Sequence, residues 1–192
     1  MRTITALVFA AAMLAGQERL VEGNPKSPVR VIAYEDLQCS DCAIYRKTMD
    51  EKLLPKYAGT VAFEHRDFPL GKHLWAKPAA VAARYFDGVK PELGVAFRQW
   101  AMANQESIQP ETFEAKLVEW AKLKGQDAAR VKAALADAKL VKAVQEDYEE
   151  GVARGVARTP TVFVNGEPFI ETFTAEEISK GIDAALAAFQ TK

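Results

Sequence analysis

The sequence predicts an α/β fold in which a βαβ half and a ββα half bracket an inserted α-helical subdomain, and three observations predict it. A β-branched run, Val29-Arg30-Val31-Ile32-Ala33-Tyr34, leads through an amphipathic segment into a second run, Val61 to Arg66. An Ala-rich stretch of helical spacing follows. Thr161 to Val164, Asn165-Gly166 and Glu167 to Ile170 then read as a hairpin, because Asn-Gly supplies the positive φ angles of a type I′ turn.

The 192 residues are enough for one sizeable domain with a core. At 49% hydrophobic, 27% charged and a formal net charge of −1, they offer no broad basic surface, so nucleic-acid binding is not expected. Met1-Arg2-Thr3 followed by apolar Ile4 to Leu14 has the layout of a secretory signal, with an apolar region too short to span a bilayer. We therefore expect residues 1–16 to be a signal or targeting segment and the protein to be exported to the periplasm or cell envelope. The alternative is the apolar first helix of a cytoplasmic protein. Gln17 stands where a lipoprotein box would need its Cys. Residues 17–28, with Gly23, Pro25 and Pro28, read as an N-terminal loop.

After the first strand comes the acidic pair Glu35-Asp36. From Cys42 to about Lys56, Ile44, Met49 and Leu53 mark the inward stripe of a helix closed by Pro55 and Gly59. Residues 75–156 read as four or five helices, with Phe113, Leu117 and Trp120 on one stripe and Leu140, Val144, Tyr148 and Val152 on another. Glu146-Asp147 and Glu149-Glu150 read as a solvated helix face. Trp75, Trp100 and Trp120 read as packing residues, and His73 as a cap or packing residue at the start of the helical block, against the alternative that it lines the entrance to the active site. Pro168 cannot donate a ladder bond, which assigns its strand to a sheet edge. Thr174-x-x-Glu177 is a capping box with Phe173 and Ile178 as a staple, opening a last helix with Ile178, Ile182 and Phe189 inward.

The chemistry is carried by Cys39-Ser40-Asp41-Cys42, which holds both cysteines of the chain. Two cysteines three positions apart cannot staple distant segments. Structural zinc needs about four ligands, and beyond one CxxC the chain offers only His65 and His73, well downstream. A CxxC where a strand meets a helix inside a βαβ pattern is instead a redox context. Cys39 at the helix N-terminus would gain thiolate character from unpaired N–H groups and the macrodipole, making it the nucleophile. Cys42, one turn in, would be the resolving thiol. Thr159-Pro160 just ahead of the hairpin is the second feature. A cis Pro160 would set the Thr159 backbone beside the sulfurs, where an extended substrate segment could pair with it as an added strand.

These residues resemble the DsbA-like family of thiol–disulfide oxidoreductases in the thioredoxin superfamily. The resemblance rests on Val31 to Cys42, on Arg66-Asp67-Phe68-Pro69-Leu70 with His73 and Ala79-Ala80, and on Gly155 to Thr161 leading into Val164-Asn165-Gly166. It implies a thioredoxin domain formed by 29–74 and 157–192, interrupted by the helical subdomain 75–156. It also implies Pro160 in cis, a shallow apolar groove for extended protein substrates, no cofactor beyond the redox-active Cys39–Cys42 disulfide, and a quinone-linked membrane protein as redox partner. A monomer is expected, and a disulfide isomerase is the weaker reading, since such enzymes usually gain from a dimerisation domain that this chain lacks.

Two departures from the family pattern bear on chemistry. Relatives often carry Pro and then an aromatic or His between the cysteines, where this chain has Ser40 and Asp41 as redox-tuning candidates. A charged Asp41 disfavours the thiolate: at an effective dielectric of about 20, two charges some 5–6 Å apart repel by about 3 kcal/mol before screening. The expected consequence is a less oxidising couple. The buried acid that many relatives carry six residues before the first Cys is here Ala33, which leaves Glu35 and Asp36 as candidates for a proton relay to Cys42, against the alternative of strand-end charges in water. A competing role is a peptide-binding or holdase protein with a regulatory CxxC.

Overall fold

The computed structural model describes residues 19–190; the expected targeting segment, 1–16, lies outside the described residues. Five strands form one sheet: β1 Val21–Gly23, β2 Arg30–Glu35, β3 Ala62–Asp67, β4 Thr161–Val164 and β5 Glu167–Ile170, in the order β1-β3-β2-β4-β5. β2 and β3 run parallel, as a helical crossover requires, and the remaining pairs are antiparallel. β1 corrects the expectation of a plain loop over 17–28: the three residues pair with β3, Glu22 opposite Phe63. Too short to show a period, the strand left no hydropathy signal.

The crossover is α1 Ser40–Thr48, a π-helical turn Met49–Leu53 and α2 Leu54–Tyr57. Pro55 does not close it. Its ring removes an N–H and crowds the carbonyl four residues back, and the wider turn just before it accommodates both. The inward stripe is Cys42, Tyr45, Met49 and Leu53, whereas Ile44 is 65% exposed; Ile44 and Met49 are five apart, which helical geometry places on different faces.

Five helices follow: α3 Ala76–Val89, α4 Pro91–Ala103, α5 Phe113–Leu123, α6 Ala128–Ala134 and α7 Ala138–Ala153. α8 Ala175–Gln190 ends the chain. One core lies where α1 and α8 meet the sheet, around Val31, Phe63, Val162, Ile178 and Ile182. On the other face Tyr34, Phe68 and Tyr148 join α7 to β2 and β3. Gly151 permits that approach, because a Cβ there would stand 2.7 Å from the Phe68 ring. A third core fills the helical block with Trp75, Phe86, Phe97, Leu117 and Trp120, and it reaches Leu37, Cys39 and Cys42.

Two further stripe assignments and one exposed face are corrected. Val152 and Phe189 are exposed; in α7 it is the neighbouring Gly151 that faces Phe68 and Tyr34. Asp147 is buried rather than solvated: with Glu150 partly covered beside it, it meets Arg66 and Arg84 from β3 and α3. The hairpin turn has positive φ at Asn165 and Gly166, and β5 with Pro168 is an edge strand. At α8 the Thr174 N–H donates to Glu177 Oε2 at 2.7 Å, and the Glu177 N–H donates to Thr174 Oγ1 at 3.1 Å.

Candidate active site

β2 ends at Glu35, and the chain turns through Asp36-Leu37-Gln38 so that Cys39 occupies the N-cap of α1. The Asp36 side chain fastens the turn: Oδ1 accepts the Gln38 N–H at 2.7 Å, while Oδ2 accepts the Leu70 N–H at 2.7 Å and lies 2.8 Å from His73 Nδ1. Asp36 therefore ties two loops together beside the cysteines. Both it and Glu35 are buried, against the alternative of solvated strand-end charges. His73 packs as Asp36's partner and borders the groove over Cys39.

The two sulfurs occupy different environments. Cys39 stands at the floor of a groove of about 580 Å³ bordered by Ser40, Asp41, Lys72, Arg158, Thr159 and Glu171 among others. Its Sγ donates to the Thr159 carbonyl at 3.2 Å. The Cys42 sulfur, held beside it, lowers the Cys39 pKa most; the Thr159 side chain and the backbone N–H groups of Cys42 and Asp41 add to this, and against the cost of burial the thiol is brought down to about 6. Ser40 opens the helix, and Asp41 contributes its backbone N–H to the sulfur. Cys42 is fully buried and accepts the Asp36 N–H at 3.4 Å. Burial, then the neighbouring Cys39 sulfur and the Glu35 charge, push its thiol well up.

The Thr159–Pro160 peptide bond is cis, and it brings the loop before β4 against Cys39. The groove lining is mainly polar, which corrects the apolar groove implied by the family resemblance: Arg158 Nη1 pairs with Glu171 Oε2 at 2.6 Å across its rim. Cys39, Ser40, Asp41 and Thr159 are thus brought together around the groove, whereas Glu35 and Cys42 lie beneath it.

One residue of this region carried no functional assignment in the sequence. His65 of β3 is buried with Nδ1 2.7 Å from Glu35 Oε2 and Nε2 2.8 Å from Glu22 Oε1. Burial opposes its charge, but the charge of Glu35 and the hydrogen bonds of both acids prevail and raise its pKa to about 9. A lone His inside an otherwise strand-like run was the available signal.

Comparison with known proteins agrees with this architecture. Residues 16–184 match the family model described as thioredoxin. Curated relatives include two sodium/proton antiporters, from Salinispora tropica (29% identical over 88% of this chain) and Salinispora arenicola (28% over 87%). The chain spans about a quarter of their length, 25% and 24%. Among solved structures, alpha-DsbA1 of Wolbachia pipientis superposes with a TM-score of 0.78 at 19% identity, covering 91% of this chain and 94% of that one. Oxidised BdbD of Bacillus subtilis gives 0.79 at 20%, covering 88% and 93%. A thioredoxin-like oxidoreductase from Silicibacter pomeroyi gives 0.71 at 20%, covering 87% and 91%. The match over most of its length, on a five-stranded sheet interrupted by helices, means that the chain belongs to the thioredoxin family and has its DsbA-like fold.

Proposed function

We propose that this protein is a thiol–disulfide oxidoreductase acting on the thiols and disulfides of other proteins, with Cys39 as nucleophile and Cys42 as resolving thiol. One observation carries the reading: two adjacent sulfurs with opposite environments, Cys39 at a helix tip under an open groove with its pKa lowered to about 6, Cys42 buried with its pKa raised. In the reducing direction the Cys39 thiolate attacks one sulfur of a substrate disulfide. That bond breaks, its electron pair leaves on the other substrate sulfur, and a mixed disulfide forms. Cys42 then loses its proton and attacks the Cys39 sulfur, the second substrate sulfur departs as a thiolate, and the Cys39–Cys42 disulfide remains. Two electrons have passed to the substrate, and the oxidising direction is the same sequence reversed.

The backbone beside Pro160, at Thr159, is the surface on which an extended substrate segment would align. The Asp41 charge at the groove rim moves the couple toward the reducing side. We assign the protein to the cell envelope, with a quinone-linked membrane protein to reoxidise it. The antiporter names of the curated relatives add a membrane transporter to the partners we propose.

The test is reduction of insulin disulfides by dithiothreitol-recycled protein. Wild type should accelerate it, Cys39→Ala should not, and Cys42→Ala should accumulate a mixed disulfide on Cys39 detectable by mass. Wild type that leaves insulin untouched but still suppresses aggregation of an unfolded client would replace catalysis with peptide holding.

A further inference from the structure

The turn that carries Cys39 is closed from within by a single backbone bond, from the Cys39 N–H to the Asp36 carbonyl at 3.0 Å. Cys39 itself is extended, with φ −82° and ψ 125°, and as N-cap it makes no side-chain hydrogen bond to the helix. The groups that favour its thiolate, from Thr159 and from the backbone of Asp41 and Cys42, act only while the sulfur stays aimed at them. That aim depends on the peptide groups around Cys39.

Gln105 holds those peptide groups from outside the turn. It opens a 3₁₀ turn, Gln105–Ser107, between α4 and α5. Its Nε2 donates to the Leu37 carbonyl at 2.9 Å and to the Cys39 carbonyl at 2.9 Å. One amide thus uses both of its N–H groups to fix the peptide before Gln38 and the peptide after Cys39. Gln105 is well placed in turn. The Asn104 side chain donates to the Trp100 carbonyl at 2.8 Å, the Asn104 carbonyl accepts from Ser107 and Ile108, and Ile108 is buried in the core that also holds Leu37, Cys39 and Cys42. Gln105 is not among the residues that border the groove.

The titratable groups around Cys39 come from several elements. α1 contributes Asp41 and Cys42, the loop before α3 contributes Lys72 and His73, and the segments flanking β4 and β5 contribute Arg158 and Glu171. Asp36 is engaged beneath with Gln38, Leu70 and His73, and the Glu35 charge acts on Cys42. The insertion meets the turn through the neutral Gln105, and its neighbour Glu106 is exposed. A neutral replacement at Gln105 therefore alters the geometry of the turn without altering its charge.

We propose that Gln105 is a positioning residue through which the helical insertion aims the Cys39 sulfur, by bonding the carbonyls of Leu37 and Cys39. The inference rests on the oxidoreductase reading and adds to it a residue that touches neither sulfur nor substrate. Without the amide, the turn regains rotation about Cys39 and the bonds to the sulfur lengthen. The thiolate loses stabilisation that the neutral thiol does not share, so the reduced form becomes less favourable relative to the disulfide.

The experiment titrates the reduced full chain by its ultraviolet thiolate absorbance and, separately, equilibrates it with glutathione at neutral pH. The first wild-type thiol should titrate near 6. Gln105→Met keeps the reach of the side chain without its donors and should titrate near about 7, so that the thiolate fraction at the wild-type midpoint falls from about half to about a tenth. The glutathione equilibrium should shift about fivefold toward the disulfide form. Gln105→Ala carries the same expectation if the Met variant does not fold. A residue that only packs would lower the unfolding midpoint and leave the titration near 6; that result overturns the assignment, as does a wild-type thiol that titrates in the ordinary thiol range. Wild type that forms no Cys39–Cys42 disulfide at any glutathione ratio would instead overturn the oxidoreductase reading.

Discussion

Cys39 and His65 respond to pH in opposite senses. The folded state holds Cys39 near pKa 6, below its unfolded value, so its contribution to stability is complete above the unfolded pKa of about 8.5 and is lost as pH falls through about 6. His65 is held near 9, above its unfolded value of about 6.5, so its contribution is complete below 6.5 and is lost as pH rises through 9. Between about 6.5 and 8.5 the two slopes oppose each other. Denaturant unfolding of the reduced protein across that window should therefore give a nearly level midpoint, while Cys39→Ser, which keeps only the His65 slope, should lose stability steadily as pH rises. A variant as level as wild type would show that one of the two groups is not held as described. The placement of Cys39 and Cys42 at a helix tip could be read from their spacing. Asp36 as a loop clamp and His65 as a buried partner could not, because both depend on side chains from strands or loops distant in sequence.

Among elements, those carried by local chemistry were the most legible. Asn165-Gly166 specified its turn, Pro168 its edge position, and Thr174 with Glu177 the start of α8. Thr174→Ala removes the hydroxyl that receives the Glu177 N–H and should cost about 1 kcal/mol in urea unfolding; an unchanged midpoint would mean that the α8 terminus adds nothing to the cooperative unit. β3 was legible to within one residue of its bounds, Val61 to Arg66 against Ala62–Asp67. Less legible was its burial, since Glu64, His65, Arg66 and Asp67 are ionisable yet buried, and only the partners across both faces of the sheet account for that. The π turn before Pro55 was hidden for a similar reason, since a proline reads as a stop unless the helix widens ahead of it.

At the scale of the whole molecule, the helical insertion is fastened to the sheet by charge as well as by apolar packing. Arg84 of α3 reaches Asp67 of β3 at 2.5 Å and also pairs with Asp147 of α7, and all three are buried. Arg98 of α4 joins them through Asp67 and Asp87. Removing one member of such a cluster leaves a buried charge uncompensated, so Arg84→Ala should cost about 3–5 kcal/mol by denaturant unfolding. A loss within experimental scatter would assign the attachment of the insertion to apolar packing alone. The cluster also shows why the acidic run at 146–150 misled. Its charges suggested solvent, while Arg19, Arg66 and Arg84, which cover Asp147 and Glu150, lie some 60 to 130 positions earlier.

The margins of the sheet bear on the function proposed above. One border is three residues long, and the other contains Pro168, which has no N–H to offer. Neither gives a stray strand a continuous row of donors and acceptors on which to register. On the proposed function, a molecule whose substrate is extended polypeptide is thereby protected from templating it along its flanks, and the sulfur-bearing groove is left as the place where such a chain can settle.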